Sequence, residues 1–162
     1  METPGKRAGV LTIFQCGILL VDVCINAAST LLYPYNTVLL VLYVLQNTMT
    51  VMALIVLFLT FFATYIFQAG LIAVLVLKFK WTIFVTIVYL SLSVAYHVWS
   101  LTLVWDHAYE DNWTDSLAVL YTCQRLCSVF YYYMYKRTAF FMNDQKYYQD
   151  TPWLREQLER RS

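Results

Sequence analysis

The sequence predicts an all-α, polytopic membrane protein: four transmembrane helices in an antiparallel bundle, an extended second helix and a short C-terminal amphipathic helix. Three observations carry that prediction. Of 162 residues, 60% are hydrophobic and only 13% are charged, about half the charged quarter that covers a soluble domain. The apolar residues form continuous runs long enough to cross a hydrocarbon core of about 30 Å at 1.5 Å per residue. The basic residues stand on one side of the membrane if the chain crosses four times.

The first run covers about residues 10–32 and ends at the turn Tyr33-Pro34-Tyr35-Asn36. The second starts near Val38, is placed at 38–66, and remains uncharged as far as Lys78. The third covers 81–105 and the fourth about 116–135. Residues 1–135 thus form the transmembrane domain and 136–162 a tail, with short connections and no soluble domain.

The uncharged stretch 38–77 is too long for one span and nearly long enough for two, with Gln68-Ala69-Gly70 the only place for a hairpin. Charge placement decides between them. Lys6 and Arg7 precede the first span, Lys78 and Lys80 precede the third, and Lys136, Arg137, Lys146, Arg155, Arg160 and Arg161 follow the fourth. The segment 106–115 carries Asp106, Glu110, Asp111 and Asp115 without a lysine or arginine. Four spans with both ends inside put all of those basic residues in the cytoplasm, whereas five would strand one terminus on the wrong side. Residues 67–80 then read as a cytoplasmic extension of the second helix, kinked near Gly70. Lys6-Arg7 ahead of an apolar run ending in Asn26-Ala27-Ala28-Ser29 loosely resembles a cleavable leader. Asp22 and the length of the run favour a span instead.

Aromatic rings mark the expected boundaries, since they combine an apolar body with a polar edge. Trp81 and the run Phe130-Tyr131-Tyr132-Tyr133-Met134-Tyr135 are placed at the cytoplasmic face. Trp99, Trp105, Trp113, Tyr33 and Tyr35 are placed towards the other. Cys16, Cys24, Cys123 and Cys127 all lie in apolar runs, so they read as membrane-buried thiols rather than a disulfide or zinc framework.

An ionisable side chain in hydrocarbon costs several kcal/mol unless paired, so each is a candidate functional residue. Asp22 lies near the middle of the first span, with Asn26 one turn on. Arg125 lies near the middle of the fourth, beside Gln124. The expectation is a buried Asp22–Arg125 ion pair, with Asn26 and Gln124 satisfying the remaining donors and acceptors. A role in helix register is favoured over an ion pathway, because transporters carry more charge at membrane depth and broken helices in paired halves. Gln46, Asn47, Thr48 and Thr50 suit helix-to-helix bonding, and His97 reads as a packing residue.

Phosphate-binding loops, nucleophile elbows and paired-histidine metal motifs are absent from the sequence. A non-enzymatic protein is therefore expected, without catalytic residues, cofactor or metal, and with no nucleic-acid or small-molecule partner evident. Asn112-Trp113-Thr114 matches a glycosylation sequon in the short acidic segment, on the side where glycans are added. In the tail, Thr151-Pro152 reads as a helix N-cap followed by proline at the first position. Trp153, Leu154 and Leu158 then share one face of a short helix, suited either to anionic lipid or to docking a cytoplasmic partner.

Several strings together carry a resemblance. Phe67-Gln68-Ala69-Gly70-Leu71 with Lys78-Phe79-Lys80, His97-Val98-Trp99, Trp113-Thr114-Asp115 and Gln124-Arg125-Leu126 come in order. Tyr135-Lys136-Arg137-Thr138-Ala139, Tyr148-Gln149-Asp150 and Trp153-Leu154-Arg155 follow. In order and spacing over essentially the whole chain, they resemble the transmembrane protein 138 family. That resemblance implies a small four-span protein of primary cilia, needed for cilium assembly and linked to vesicular delivery of cargo and to ciliopathy. It implies residence in the cilium and associated vesicle or vacuole membranes, with the lipid bilayer and other ciliary or transition-zone membrane proteins as partners. It supplies no catalytic or ligand residues. The alternative is a small channel or transporter subunit using Asp22, Arg125 and His97.

Overall fold

The computed structural model describes residues 4–32, 36–62, 64, 72–106, 114–142 and 144. It contains four long helices: α1 (Pro4–Leu31), α2 (Asn36–Phe62), α3 (Ile72–Asp106) and α4 (Asp115–Met142). Three of them hold segments long and apolar enough to cross a membrane, Gly9–Leu31, Asn36–Phe62 and Leu77–Trp105. The fourth is equally long at 28 residues but falls short in apolarity, because it carries Asp115, Arg125, Lys136, Arg137 and a run of tyrosines.

Cross-helix bonds give the topology. Gln15 bonds to Thr60, so the start of α1 meets the end of α2. Asn36 bonds to the Val104 carbonyl, tying the start of α2 to the end of α3. Thr82 pairs with Thr138 and Ser93 with Gln124, while Asp22 meets Tyr132 and Thr30 meets Tyr121. Each neighbouring pair is antiparallel, in the cyclic order α1, α2, α3, α4. Packed in this register, α4 lies across the same depth as the three apolar helices.

One expectation is corrected. The second helix ends at Phe62, and Thr64 closes its last turn through its amide and hydroxyl to the Phe61 carbonyl at 3.1 and 2.7 Å. Residues 72–80 belong instead to α3, a single 35-residue helix of about 52 Å, longer than the ~30 Å core. Lys78 and Lys80 do not stop it, because lysine carries its charge outward on an apolar stem while the backbone stays helical. The fourth helix runs on as helix beyond Tyr135 to Met142. The tail helix and residues 65–71 lie outside the described residues.

The bundle is inside-out relative to a soluble protein. Polar side chains fill the interior at helical spacing: Thr82, Thr86, Ser93, His97 and Ser100 along α3, and Gln124, Ser128 and Thr138 along α4. The outward faces are apolar, with Ile13, Leu20, Leu59, Phe84, Val119 and Val129 among the exposed side chains. Surfaces of that kind suit lipid and not water. In lipid, apolar burial supplies no net drive between helices, so association rests on close packing and on interhelical hydrogen bonds. Interior packing is provided by one apolar cluster around Leu57, Phe61, Phe79 and Tyr135. A second surrounds Leu39, Tyr43, Tyr96 and Leu117 towards the other end.

Candidate functional site

Midway along the bundle a polar node joins all four helices. Asp22 on α1 accepts through Oδ2 from the Tyr89 hydroxyl of α3 at 2.9 Å and from the Tyr132 hydroxyl of α4 at 2.5 Å. Asn26, one turn on and therefore on the same face, donates its amide to both phenol oxygens at 3.1 and 3.0 Å. Gln46 of α2 donates to the Tyr89 oxygen at 3.0 Å. Gln124 donates to Asn26 Oδ1 at 3.4 Å and to Ser93 at 3.3 Å. Tyr89 is fully buried and stacks on Tyr131 with ring centroids 4.6 Å apart. A carboxylate buried in this way needs such donors, since an unsatisfied charge is far costlier than the bonds are worth.

The expected ion pair between Asp22 and Arg125 is not formed. Arg125 Nη2 donates instead to the Asn26 carbonyl at 2.5 Å and to the Thr30 hydroxyl at 2.8 Å, and the guanidinium lies 4.9 Å from the Tyr121 ring centroid. The reason is directional. Side chains on a helix lean towards its N-terminus, so Arg125 leans away from Tyr132, the residue level with Asp22. It reaches the last turns of α1, where the helix dipole favours a cation. Asn26 therefore stands between the two charges, its side chain in the network around Asp22 and its carbonyl on Arg125.

Asp22, Asn26, Gln124 and Arg125 come together in this node. His97 lies one layer away, its ring stacked on Tyr43 at 3.9 Å and its Nδ1 3.1 Å from Asn47 Oδ1. Asn112, Trp153, Leu154 and Leu158 are outside the described residues. Among the described residues no group of three or more His, Cys, Asp or Glu side chains could hold a metal ion, and the four cysteines are free thiols.

Sequence reasoning missed the two tyrosines. The run from Phe130 to Tyr135 is not a boundary belt: Tyr131 and Tyr135 are buried, and only Phe130 and Tyr133 face outward among its rings. The signal was present. Tyr89 sits on the same stripe as Thr82, Thr86 and Ser93, Tyr132 follows Arg125 and Ser128 at three- and four-residue steps, and Tyr131 and Tyr135 continue Gln124 and Ser128 likewise.

An antiparallel membrane bundle closed by a buried polar node is the class of protein this geometry defines. Comparison with known proteins gives the particular family. The family model described as Transmembrane protein 138 matches residues 39–157. Transmembrane protein 138 of Xenopus tropicalis is 41% identical over 160 residues, covering 99% of this chain and 98% of the relative. The Mus musculus protein of that name is 42% identical over 158 residues, covering 98% and 97%. That of Danio rerio is 36% identical over 151 residues, covering 93% of each. The chain belongs to the Transmembrane protein 138 family. No solved structure matches it.

Proposed function

We propose that this chain is a non-enzymatic membrane protein required for cilium assembly, acting in vesicular transport or in anchoring other membrane proteins at the ciliary base. The family resemblance supports the ciliary setting. The observation that carries the structural reading is the use made of the buried polar groups: Asp22, Asn26, Gln46, Tyr89, Gln124 and Tyr132 bond one helix to another. Side chains committed to each other in this way set helix register.

On this reading both termini are cytoplasmic, and residues 1–135 act as the anchor. Trp153, Leu154 and Leu158 of the tail dock a partner, Asn112 lies on the far side of the membrane as a glycan acceptor, and the protein resides in ciliary and associated vesicle or vacuole membranes.

A second reading, a small channel or transporter subunit, draws on a different observation. Asp22 Oδ1, Gln46 Oε1 and Gln124 Oε1 are buried acceptors without a hydrogen bond. They leave acceptor capacity around the node that a proton or cation could use.

Imaging tagged protein in ciliated cells separates the two. The proposal expects Trp153→Ala to reduce delivery to the cilium while the protein folds and inserts, and Asp22→Asn to support cilium assembly. Absence of the wild-type protein from cilia and from vesicles serving them would sink it. Normal delivery of Asp22→Asn with loss of cilia would favour the second reading.

A further inference from the structure

At the end of the bundle where α3 begins and α4 ends, a groove of about 280 Å³ opens between the two helices. Lys78 and Arg137 flank it, Trp81 and Phe141 line it, and the Thr82 and Thr138 hydroxyls meet at 2.7 Å on its buried side. The two cations converge on one ring. The Lys78 ammonium lies 5.9 Å and the Arg137 guanidinium 5.5 Å from the Phe141 centroid.

Depth, charge and shape agree on an occupant. Lys78 precedes Tyr89, which is level with Asp22 at mid-bundle, by about 16 Å of helix. That is about half the ~30 Å hydrocarbon core, so the groove opens at the level of lipid headgroups. Trp81, 62% exposed, suits the same level. Lys80 and Lys136 add charge nearby, and Asp144 is the one acid at this end among the described residues. An arginine fork with a lysine beside it suits phosphate oxygens, and basic pockets between membrane helices recognise anionic headgroups.

We propose that this groove binds the headgroup of an anionic phospholipid from the surrounding bilayer. Its phosphates lie on Lys78 and Arg137, and its acyl chains run over the apolar outer faces of α3 and α4. The inference is independent of the ciliary reading. It uses the charge placement that puts this end in the cytoplasm, where anionic lipid is concentrated.

The test uses full-length protein in phosphatidylcholine nanodiscs containing a minor fraction of phosphatidylinositol bisphosphate, with retained lipid read by native mass spectrometry after detergent exchange. Wild type should retain one anionic lipid per chain. Lys78→Gln/Arg137→Gln should bind it roughly thirtyfold more weakly, with an unchanged melting temperature in phosphatidylcholine alone. Lys80→Gln/Lys136→Gln carries the same charge loss outside the groove and should retain it. Equal loss in both double variants would reduce the effect to a general basic belt and overturn the site. Equal retention in wild type and Lys78→Gln/Arg137→Gln would overturn it too. So would a wild type that retains no lipid but binds a poly-glutamate peptide, which would assign the groove to an acidic protein segment.

Discussion

The Tyr89 hydroxyl donates to Asp22 Oδ2 at 2.9 Å while its oxygen accepts from the Asn26 and Gln46 amides at 3.1 and 3.0 Å. One phenol at the midpoint of α3 thus touches α1 twice and α2 once. Tyr132 repeats part of this pattern from α4, which makes Asp22 the point on which three helices are referenced.

Removing the Tyr89 oxygen alone should therefore cost more than an ordinary hydroxyl. Tyr89→Phe leaves two amide donors short of an acceptor and Asp22 short of a donor. A loss of about 1–3 kcal/mol is expected, measured by reversible unfolding in mixed micelles. Tyr133→Phe, on the exposed face, should change stability by less than about 0.5 kcal/mol.

The indirect relation between Asp22 and Arg125 gives a coupling prediction. A double-mutant cycle with Asp22→Asn should show strong coupling to Tyr132→Phe, which removes a direct bond, and weaker coupling to Arg125→Gln, which acts through Asn26. Contacting pairs typically give about 0.5–3 kcal/mol and separated sites less than about 0.5. Larger coupling to Arg125 would restore the direct ion pair.

Thr82 and Thr138 share a buried hydroxyl pair at 2.7 Å. Thr138→Val alone strands the Thr82 hydroxyl and should cost roughly 1 kcal/mol. Thr82→Val/Thr138→Val replaces both partners by groups of the same shape and should recover most of it, as read by thermal melts of the three variants. A double variant as unstable as the sum of the singles would show that the pair does not act as a unit.

The inside-out arrangement predicts a sharp contrast by face. Val129 points outward near mid-depth on α4. Val129→Arg should disfavour insertion of that helix by about 2.5–3.5 kcal/mol, seen as a drop in the inserted fraction in a glycosylation-reporter assay. Unchanged insertion would place that face against protein or water.

Helix number and the membrane class were legible because apolar run length is a one-dimensional property. Depth was legible only to within about two turns: Asp22, Asn26, Gln124 and Arg125 are expected together, and Asp22 is level with Tyr132, seven residues beyond Arg125. Lateral direction was not. Whether Arg125 meets Asp22 depends on the lean of its side chain towards Tyr121, and that appears only once α1 and α4 are placed side by side. The boundary between α2 and α3 is not legible because residues 63–77 carry no charge, and the pair Lys78 and Lys80 suggests a break before Trp81 although lysine stems let one helix run through them. Tyr131, Tyr132 and Tyr135 were given to a surface belt because tyrosine suits a membrane boundary as well as a polar interior. Only their spacing with Gln124 and Ser128 separates the two.

The polar node depends most on α4 crossing the membrane despite its polar content, since otherwise Tyr132 and Arg125 could not meet α1. Labelling of single cysteines placed in each terminus, in a cysteine-free background, tests this directly with a membrane-impermeant maleimide on intact and permeabilised cells. Both termini should be protected until the plasma membrane is opened, with a cysteine in the segment 107–113 labelled beforehand. Termini found on opposite sides of the membrane would contradict the four-span bundle.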